Sequence, residues 1–335
     1  MAKDNKRVLA IFFEGLKIYA LNIHKFLLYM TFPILGQILG IYTVFGLTYW
    51  FTKNYQDLAV KYSVLNDMST MLICSIIMVI PGLIIFMKAF WDYLTAYGAL
   101  NSMAEGYLNT GRVYDFKAHN NVVYKKTFSF IALWFLFGIF TTVAIIPVFW
   151  IVGFVAFIYF ILVFQVFTFE NGLSPFGYFK RSFEIIKGNF ARTFLLAVIL
   201  FVLTYYLLSS GVSVIFDYLN ITNLLSKALE NWAFMLPLEP VERFGITPAV
   251  VGTNIVKQLI LFITIGFTLP LRSICWTLWY NNLAEPVEKP KKIARTVKTK
   301  KAASKGKKLP ENFKIEKRGI DPEIIRRARL EDDEY

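Results

Sequence analysis

The sequence predicts an all-α integral membrane protein with six transmembrane helices, interfacial amphipathic helices, both termini in the cytoplasm and a disordered basic C-terminal tail. Three observations predict this class: an apolar composition, long apolar runs, and basic residues concentrated on one side of those runs. Of 335 residues, 56% are hydrophobic, 17% are aromatic and only 18% are charged. A soluble chain with so few polar residues could not cover its own surface.

The apolar runs are long enough to cross a bilayer, which requires about 20 residues of helix. One run, 127–169, is too long for a single span. Pro147 lies near its middle, where the proline ring removes a backbone donor and clashes with the preceding turn. Division at this proline predicts six spans, at about 26–51, 71–99, 127–146, 148–169, 193–216 and 249–280.

Lys and Arg are distributed unequally between the two sides of these spans. One side, which includes residues 1–25 and the tail 284–335, carries 29 of them, and the other side carries four. Cytoplasmic loops hold the excess of basic residues, so we expect both termini to be cytoplasmic in an inner or plasma membrane protein of bacterial type. The segment 1–25 is predicted to be amphipathic, and 26–283 is predicted to form the membrane domain.

The chain has few of the residues on which catalytic and metal sites depend. His24 and His119 are far apart in the sequence, and Cys74 and Cys275 lie in different spans. Zinc, iron–sulfur and haem sites need such ligands in clusters, and no glycine-rich phosphate-binding motif occurs. The sequence therefore predicts no metal, no cofactor and no enzymatic activity.

The three spans that leave the cytoplasm begin with similar residues. Each start combines an Asn, a basic residue and a Phe, in Asn22-Ile-His-Lys-Phe26, Asn121-Val-Val-Tyr-Lys-Lys-Thr-Phe128 and Asn189-Phe-Ala-Arg-Thr-Phe194. The copies are unequally spaced, but their likeness suggests three repeated helical hairpins.

The segment before the third copy predicts an amphipathic helix. Ser174 and Pro175 form a favourable helix start, and apolar residues recur at helical spacing up to Ile186. One interpretation is an elbow that fixes the angle of the next span. The other is a lipid or partner sensor whose cations face anionic headgroups. The candidate lipid-facing cations are Lys180, Arg181, Lys187 and Arg192.

This region carries a family resemblance. Glu170-Asn-Gly, Phe179-Lys-Arg-Ser182 and Lys187-Gly-Asn-Phe190, together with Thr277-Leu-Trp-Tyr280, resemble stretches of a bacterial six-helix membrane family related to the glycerophosphoryl diester phosphodiesterase membrane domain. The resemblance extends over about residues 10–283. It implies a membrane architecture and no catalytic chemistry, because the tail is far shorter than the roughly 200 residues of a phosphodiesterase barrel.

The sequence departs from the family pattern in two places. Pro147 is not followed by Gly, and Asn281-Asn282 stands where an acidic–basic pair is expected.

Five polar residues within the predicted spans are candidates for an intramembrane site. Lys88 and Asp92 are four residues apart, so they can pair on one helix face. A structural pair is the favoured interpretation, because both lie towards the inner end of their span. Lys257 lies deeper in the last span, accompanied by Asn254 and Gln258.

The segment 289–308 contains ten Lys or Arg and no acidic residue. Such self-repelling composition predicts disorder and attraction to anionic lipid, with nucleic acid an unlikely partner. A short helix at 321–330 could dock on a cytoplasmic protein. The tail cations include Lys291, Lys292, Arg295, Lys298, Lys300, Lys301, Lys305, Lys307 and Lys308.

Two hypotheses of function follow from the sequence. The favoured one is a non-enzymatic membrane protein that organises envelope lipids or serves as a scaffold. The alternative is a small-molecule or lipid transporter with a polar site around Asn254, Lys257 and Asp92.

Overall fold

A computed structural model of the chain describes residues 7–113, 116–233 and 245–284. Its described residues form helices and connecting turns without a β-strand. The predicted tail cations and the 321–330 helix lie outside the described residues. The helices are α1 (Val8–Leu21), α2 (Ile23–Lys61), α3 (Met68–Thr110), α4 (Phe116–Tyr124), α5 (Thr127–Ile145), α6 (Trp150–Phe160), α7 (Val163–Phe169), α8 (Pro175–Ile186), α9 (Phe190–Phe201), α10 (Ser209–Tyr218), α11 (Ile221–Ala233) and α12 (Pro248–Leu283).

Six helical segments of this part of the chain are long and apolar enough to cross a membrane, which confirms the predicted number of spans. They are Ile23–Lys61, Met68–Thr110, Thr127–Ile145, Pro147–Phe169, Phe190–Tyr218 and Pro248–Leu283. The protein therefore has the architecture of an all-α multi-pass membrane protein. Helices α2 and α3 extend about ten residues past the predicted span ends, because backbone hydrogen bonding continues where the side chains become polar.

The predicted division at Pro147 is confirmed. Helix α5 ends at Ile145, and Ile146 has an extended backbone, as expected for a residue that precedes proline. Beyond the turn, Gly153 lies so close to α5 that an added Cβ would be 2.6 Å from the Cβ of Ala144.

Three short helices, α1, α4 and α8, each lead into a span through an elbow of nearly the same backbone conformation. The elbow residues are Asn22 (φ −120°, ψ 19°), Lys126 (φ −123°, ψ 29°) and Asn189 (φ −121°, ψ 19°). Each elbow N–H donates to the carbonyl three residues earlier, and each elbow carbonyl accepts from the N–H four residues later. The structure thus contains three similar units. Each consists of a short helix, an elbow and a first span, and a second span follows it in the chain: Met68–Thr110, Pro147–Phe169 or Pro248–Leu283.

The elbows correct one detail of the predicted repeat. The second elbow is at Lys126, five residues after Asn121, and Phe128 is 89% exposed. The residues that correspond in the three units are those four positions after each elbow, which are all fully buried: Phe26, Phe130 and Thr193. What recurs in the three units is therefore the burial of the residue four positions after the elbow, and not the identity of the elbow residue.

Each unit has a basic side chain near its elbow that contacts the end of the same unit's second span. Lys25 Nζ donates to Val113 O at 3.0 Å, just beyond α3. Lys126 Nζ donates to Phe167 O at 2.9 Å, at the end of α7. In the third unit, the guanidinium of Arg192 lies over the Trp279 ring at 5.6 Å. Cations are favourable at helix carboxyl ends, so these contacts hold the hairpins together.

The centre of α2 packs against α3 through a glycine contact formed by Gly36, Gly40 and Gly82. A Cβ on Gly40 would lie 2.6 Å from Phe86 N, and one on Gly82 would lie 2.7 Å from Val44 N. Only the absence of side chains lets the two backbones approach so closely. Small residues serve this purpose between membrane helices generally.

Candidate functional site: a buried polar seam

The second spans of the three units meet around one amide side chain. Asn101 of α3 is 1% exposed. Its Oδ1 accepts hydrogen bonds from Gln165 Nε2 of α7 at 3.1 Å and from Ser273 Oγ of α12. Its Nδ2 donates to Thr168 Oγ1 at 3.4 Å. We call these four residues the polar seam.

The backbone places these groups by simple periodicity. Gln165 and Thr168 are three residues apart, so both lie on the face of α7 that meets α3. Thr168 also donates to Phe164 O at 2.7 Å, which fixes its rotamer. Gly98 of α3 is in the same contact, where a Cβ would lie 3.7 Å from Phe167 Cε1 and 3.9 Å from Thr168 Oγ1.

A buried carboxylate continues the seam one turn further along α3. Glu105 is 1% exposed, and its Oε2 accepts a hydrogen bond from Asn281 Nδ2 of α12 at 2.7 Å. The sequence offered Asp92 as the intramembrane carboxylate and placed Glu105 beyond a span ending at residue 99. Glu105 is in fact buried in the protein, because α3 continues to Thr110.

An ionic cluster joins the end of α7 to α8 and α12. Arg181 Nε lies 3.0 and 3.1 Å from the two carboxylate oxygens of Glu170, and Tyr280 OH donates to Glu170 Oε1 at 2.9 Å. Burial disfavours the charge on Arg181, but the hydrogen bond and charge of Glu170 outweigh it and raise the pKa of the guanidinium. Three of the four sequence stretches that carry the family resemblance thus meet in space, through Glu170, Arg181 and Tyr280.

The four candidate lipid-facing cations therefore divide into two pairs. Lys180 and Lys187 are exposed on and beside α8. Arg181 is partly buried in its ion pair, and Arg192 lies against Trp279. The protein itself engages both arginines, and each remains partly exposed. The lipid-facing role of the four cations stays a prediction.

Lys88 and Asp92 form the expected pair on α3. Lys88 Nζ lies 2.6 and 2.5 Å from the two carboxylate oxygens of Asp92, and it lies 5.6 Å from the centre of the Phe32 ring. The lysine side chain is 59% exposed and the aspartate 17%.

The structure does not bring Lys257 to this pair. Gly266 of α12 is level with Tyr93, which lies 3.8 Å from the position of its missing Cβ. Lys257 is nine residues earlier, about 13 Å along the helix axis. Asn254, Lys257 and Gln258 are all exposed on α12. The group predicted around Asn254, Lys257 and Asp92 is therefore not assembled within the chain.

The polar seam has the chemistry of a structural network with spare capacity for one hydrogen-bond donor. Within the described residues, Gln165 Oε1 is buried without a hydrogen-bond partner. No cluster of His, Cys, Asp or Glu suited to a metal ion occurs in this part of the chain. Ordered water is a suitable donor for such a group.

Sequence reasoning missed the seam, although α12 carried a signal of it. Ser273, Thr277, Tyr280 and Asn281 recur at helical spacing, which marks one polar face in an otherwise apolar span. The facing residues Asn101 and Glu105 are also one turn apart. Comparisons of the chain with protein-family models, curated proteins and solved structures give no match. The family resemblance stays a prediction.

Proposed function

We propose that this chain is a non-enzymatic inner or plasma membrane protein that organises anionic lipids at the cytoplasmic face of the bilayer. The observation that carries the proposal is the threefold recurrence of a short helix joined to a span by the same elbow. The short helices all stand at the start of a span, where the headgroups of one leaflet are expected.

Each short helix exposes both a lysine and an aromatic side chain, a combination that suits the headgroup region. These pairs are Lys17 with Phe13, Lys117 with Tyr124, and Lys180 with Phe176. In α8, Ser174 Oγ caps the helix by accepting from Gly177 N at 3.2 Å, and Gly188 ends it with a φ of 87°. These signals fix where α8 begins and ends.

The orientation is part of the proposal. The side that carries the elbows also carries most of the Lys and Arg residues of the chain, which supports its placement in the cytoplasm. The basic tail would extend the same cationic surface.

The test is lipid enrichment around the full-length protein in nanodiscs that contain phosphatidylglycerol and phosphatidylcholine. Replacement of Lys180 and Lys187 by Gln should reduce the retained phosphatidylglycerol, because each cation near an anionic surface contributes about 1 kcal/mol. Mass spectrometry of the retained lipids gives the ratio of the two headgroups.

A matched control uses Lys53→Gln with Lys61→Gln, which removes two exposed lysines from the opposite end of α2. Equal losses in the two double variants would mean that net charge, and not the elbow helices, attracts the lipid. An unchanged ratio in the Lys180 and Lys187 variant would contradict the proposal.

The transport alternative has less structural support. Its proposed residues do not converge, and Lys257 is exposed on the outside of the helix bundle.

A further inference from the structure

Arg272 holds its charge at the middle of a membrane-spanning helix. It lies in α12 eleven residues before the helix ends at Leu283. Side chains of an α-helix lean towards its N-terminus, and Arg272 Nη2 accordingly donates to Ile265 O at 2.7 Å. Ile265 is at the midpoint of α12. The guanidinium therefore points away from the nearer helix end and into the span.

A charge in this position needs a partner, because burial of an ion in hydrocarbon is costly. Lys88 has Asp92 as its counter-ion. In the described part of the chain, no ion pair includes Arg272, and its Nε is buried without a hydrogen-bond partner. The guanidinium thus has donors and a positive charge to offer.

Tyrosine side chains lie near the turn of α12 that the guanidinium reaches. Tyr93 Cε2 of α3 is 3.8 Å from the position of the missing Cβ of Gly266, the residue after Ile265, and the Tyr97 ring centre is 6.0 Å from that of Tyr93. The charge of Arg272 acts on both tyrosines, and so does Tyr205. Neutral phenol hydroxyls donate hydrogen bonds but cannot neutralise a cation. They supply further donors for an anion that Arg272 would attract.

Tyr205 belongs to a π-helical segment, Val202–Leu208, between α9 and α10. This segment packs against α12. Thr204 within it is fully buried, and its Oγ1 has no hydrogen-bond partner among the described residues. Wide turns of this kind occur frequently at functional sites. The irregular backbone thus lies beside the helix that carries the mid-span charge.

We propose that Arg272, together with the hydroxyls of Tyr93, Tyr97 and Tyr205, binds the phosphate group of an anionic lipid within the span. The planar fork of a guanidinium matches phosphate oxygens, and a phosphodiester supplies the missing negative charge. The neighbouring surface favours a lipid as the source. Val202 and Tyr206, in the same π-helical segment as Tyr205, are 40% and 60% exposed, so this segment presents a largely apolar surface to lipid. This site is separate from the exposed lysines of the elbow helices.

The test is a titration of the full-length protein in detergent, followed by native mass spectrometry. The lipid probe is phosphatidylglycerol, diacylglycerol supplies the same acyl chains without phosphate, and inorganic phosphate supplies the anion alone. Arg272→Met should weaken phosphatidylglycerol binding about tenfold to a hundredfold, the range for loss of a charge-assisted hydrogen bond. Lys88→Met should bind as the wild type does, because that cation has its own carboxylate.

The outcomes separate the alternatives. Wild-type affinity in Arg272→Met, or equal binding of diacylglycerol and phosphatidylglycerol, would overturn the proposal. Binding of inorganic phosphate alone, lost in Arg272→Met, would support the anion site and identify a soluble source. If Arg272→Met does not fold, Tyr205→Phe removes one donor without a cavity, and unchanged affinity there would also contradict the site. The Lys180 and Lys187 variant should retain this lipid, so a failure of either proposal is recognised independently.

Discussion

The two halves of α3 have different surroundings. In the first half, apolar side chains are exposed along the helix, and contact with α2 depends on the glycine contact. In the second half, every residue from Gly98 to Gly106 is buried against α4, α7 and α12. The exposed residues of the first half include Leu72, Ile73, Ile76, Ile77, Ile80, Leu83, Ile84 and Met87.

The difference shows two ways to hold helices together where lipid is the solvent. Between apolar helices in hydrocarbon the hydrophobic effect gives little attraction, so close packing and hydrogen bonds replace it. The first half of α3 uses close packing at Gly40 and Gly82. The second half uses hydrogen bonds at Asn101 and Glu105.

The largest expected effect comes from a change at the glycine contact. Gly40→Ala should lower the free energy of unfolding by about 3 kcal/mol, because the new Cβ overlaps the backbone of Phe86, which cannot move without a shift of α3. Unfolding in mixed detergent, followed by circular dichroism, measures this loss.

Gly46→Ala is the matched control on the same helix. No atom lies within 4 Å of the position of its Cβ, so the change should be neutral or stabilise α2 by about 0.5–1 kcal/mol. Equal destabilisation in the two variants would refute the importance of the close contact.

A smaller loss of stability is expected from a change at the polar seam. Asn101→Ala removes the acceptor shared by Gln165 and Ser273, and the unfolding free energy should fall by about 2 kcal/mol. The figure is modest because interhelical hydrogen bonds in membranes average about 0.6 kcal/mol, and the remainder reflects donors left unpaired.

The same unfolding assay applies to Asn54→Ala as the control. Among the described residues, the Asn54 side chain donates to Trp50 O in its own helix, in an exposed position. A result in which Asn54→Ala costs as much as Asn101→Ala would show that the seam has no special role.

The smallest effect concerns pH at the second elbow. Burial lowers the pKa of Lys126 from 10.5 to about 8, so between about pH 8 and 10.5 the unfolded chain binds more protons than the folded one. Stability should therefore rise slightly with pH in this window. Lys126→Met should remove that part of the rise, as measured by unfolding at several pH values. A wild-type slope in Lys126→Met would assign the effect to another group.

The sequence predicted the spans well because span length and hydropathy are local properties. The five apolar runs, the division of one of them at Pro147 and the α8 start at Ser174 could all be recognised from residue order. The Lys88–Asp92 pair was predictable for the same reason, since four residues of helix bring the two side chains together. The second elbow could not be predicted in this way. It has the same backbone conformation as the other two, but its residue is Lys126, whereas theirs is an Asn.

The long-range contacts could not be assigned in advance. Asn101, Gln165 and Ser273 are far apart in the sequence, and many arrangements of six apolar helices are compatible with the same hydropathy. Arg272 follows Pro270 by two residues in the sequence, but the direction of its side chain depends on the carbonyl that it reaches, which is Ile265 O.

The sequence by itself determined that this chain forms six helical segments long and apolar enough to cross a membrane, and it predicted the side on which its cations lie. Both follow from transfer energies that each segment has independently of its neighbours. The tertiary structure decided which polar groups share a partner. It joined Asn101 to two other helices, exposed Lys257 and left the Arg272 charge at mid-span. Those outcomes depend on the rotation of each helix about its axis, which is fixed only when the helices pack.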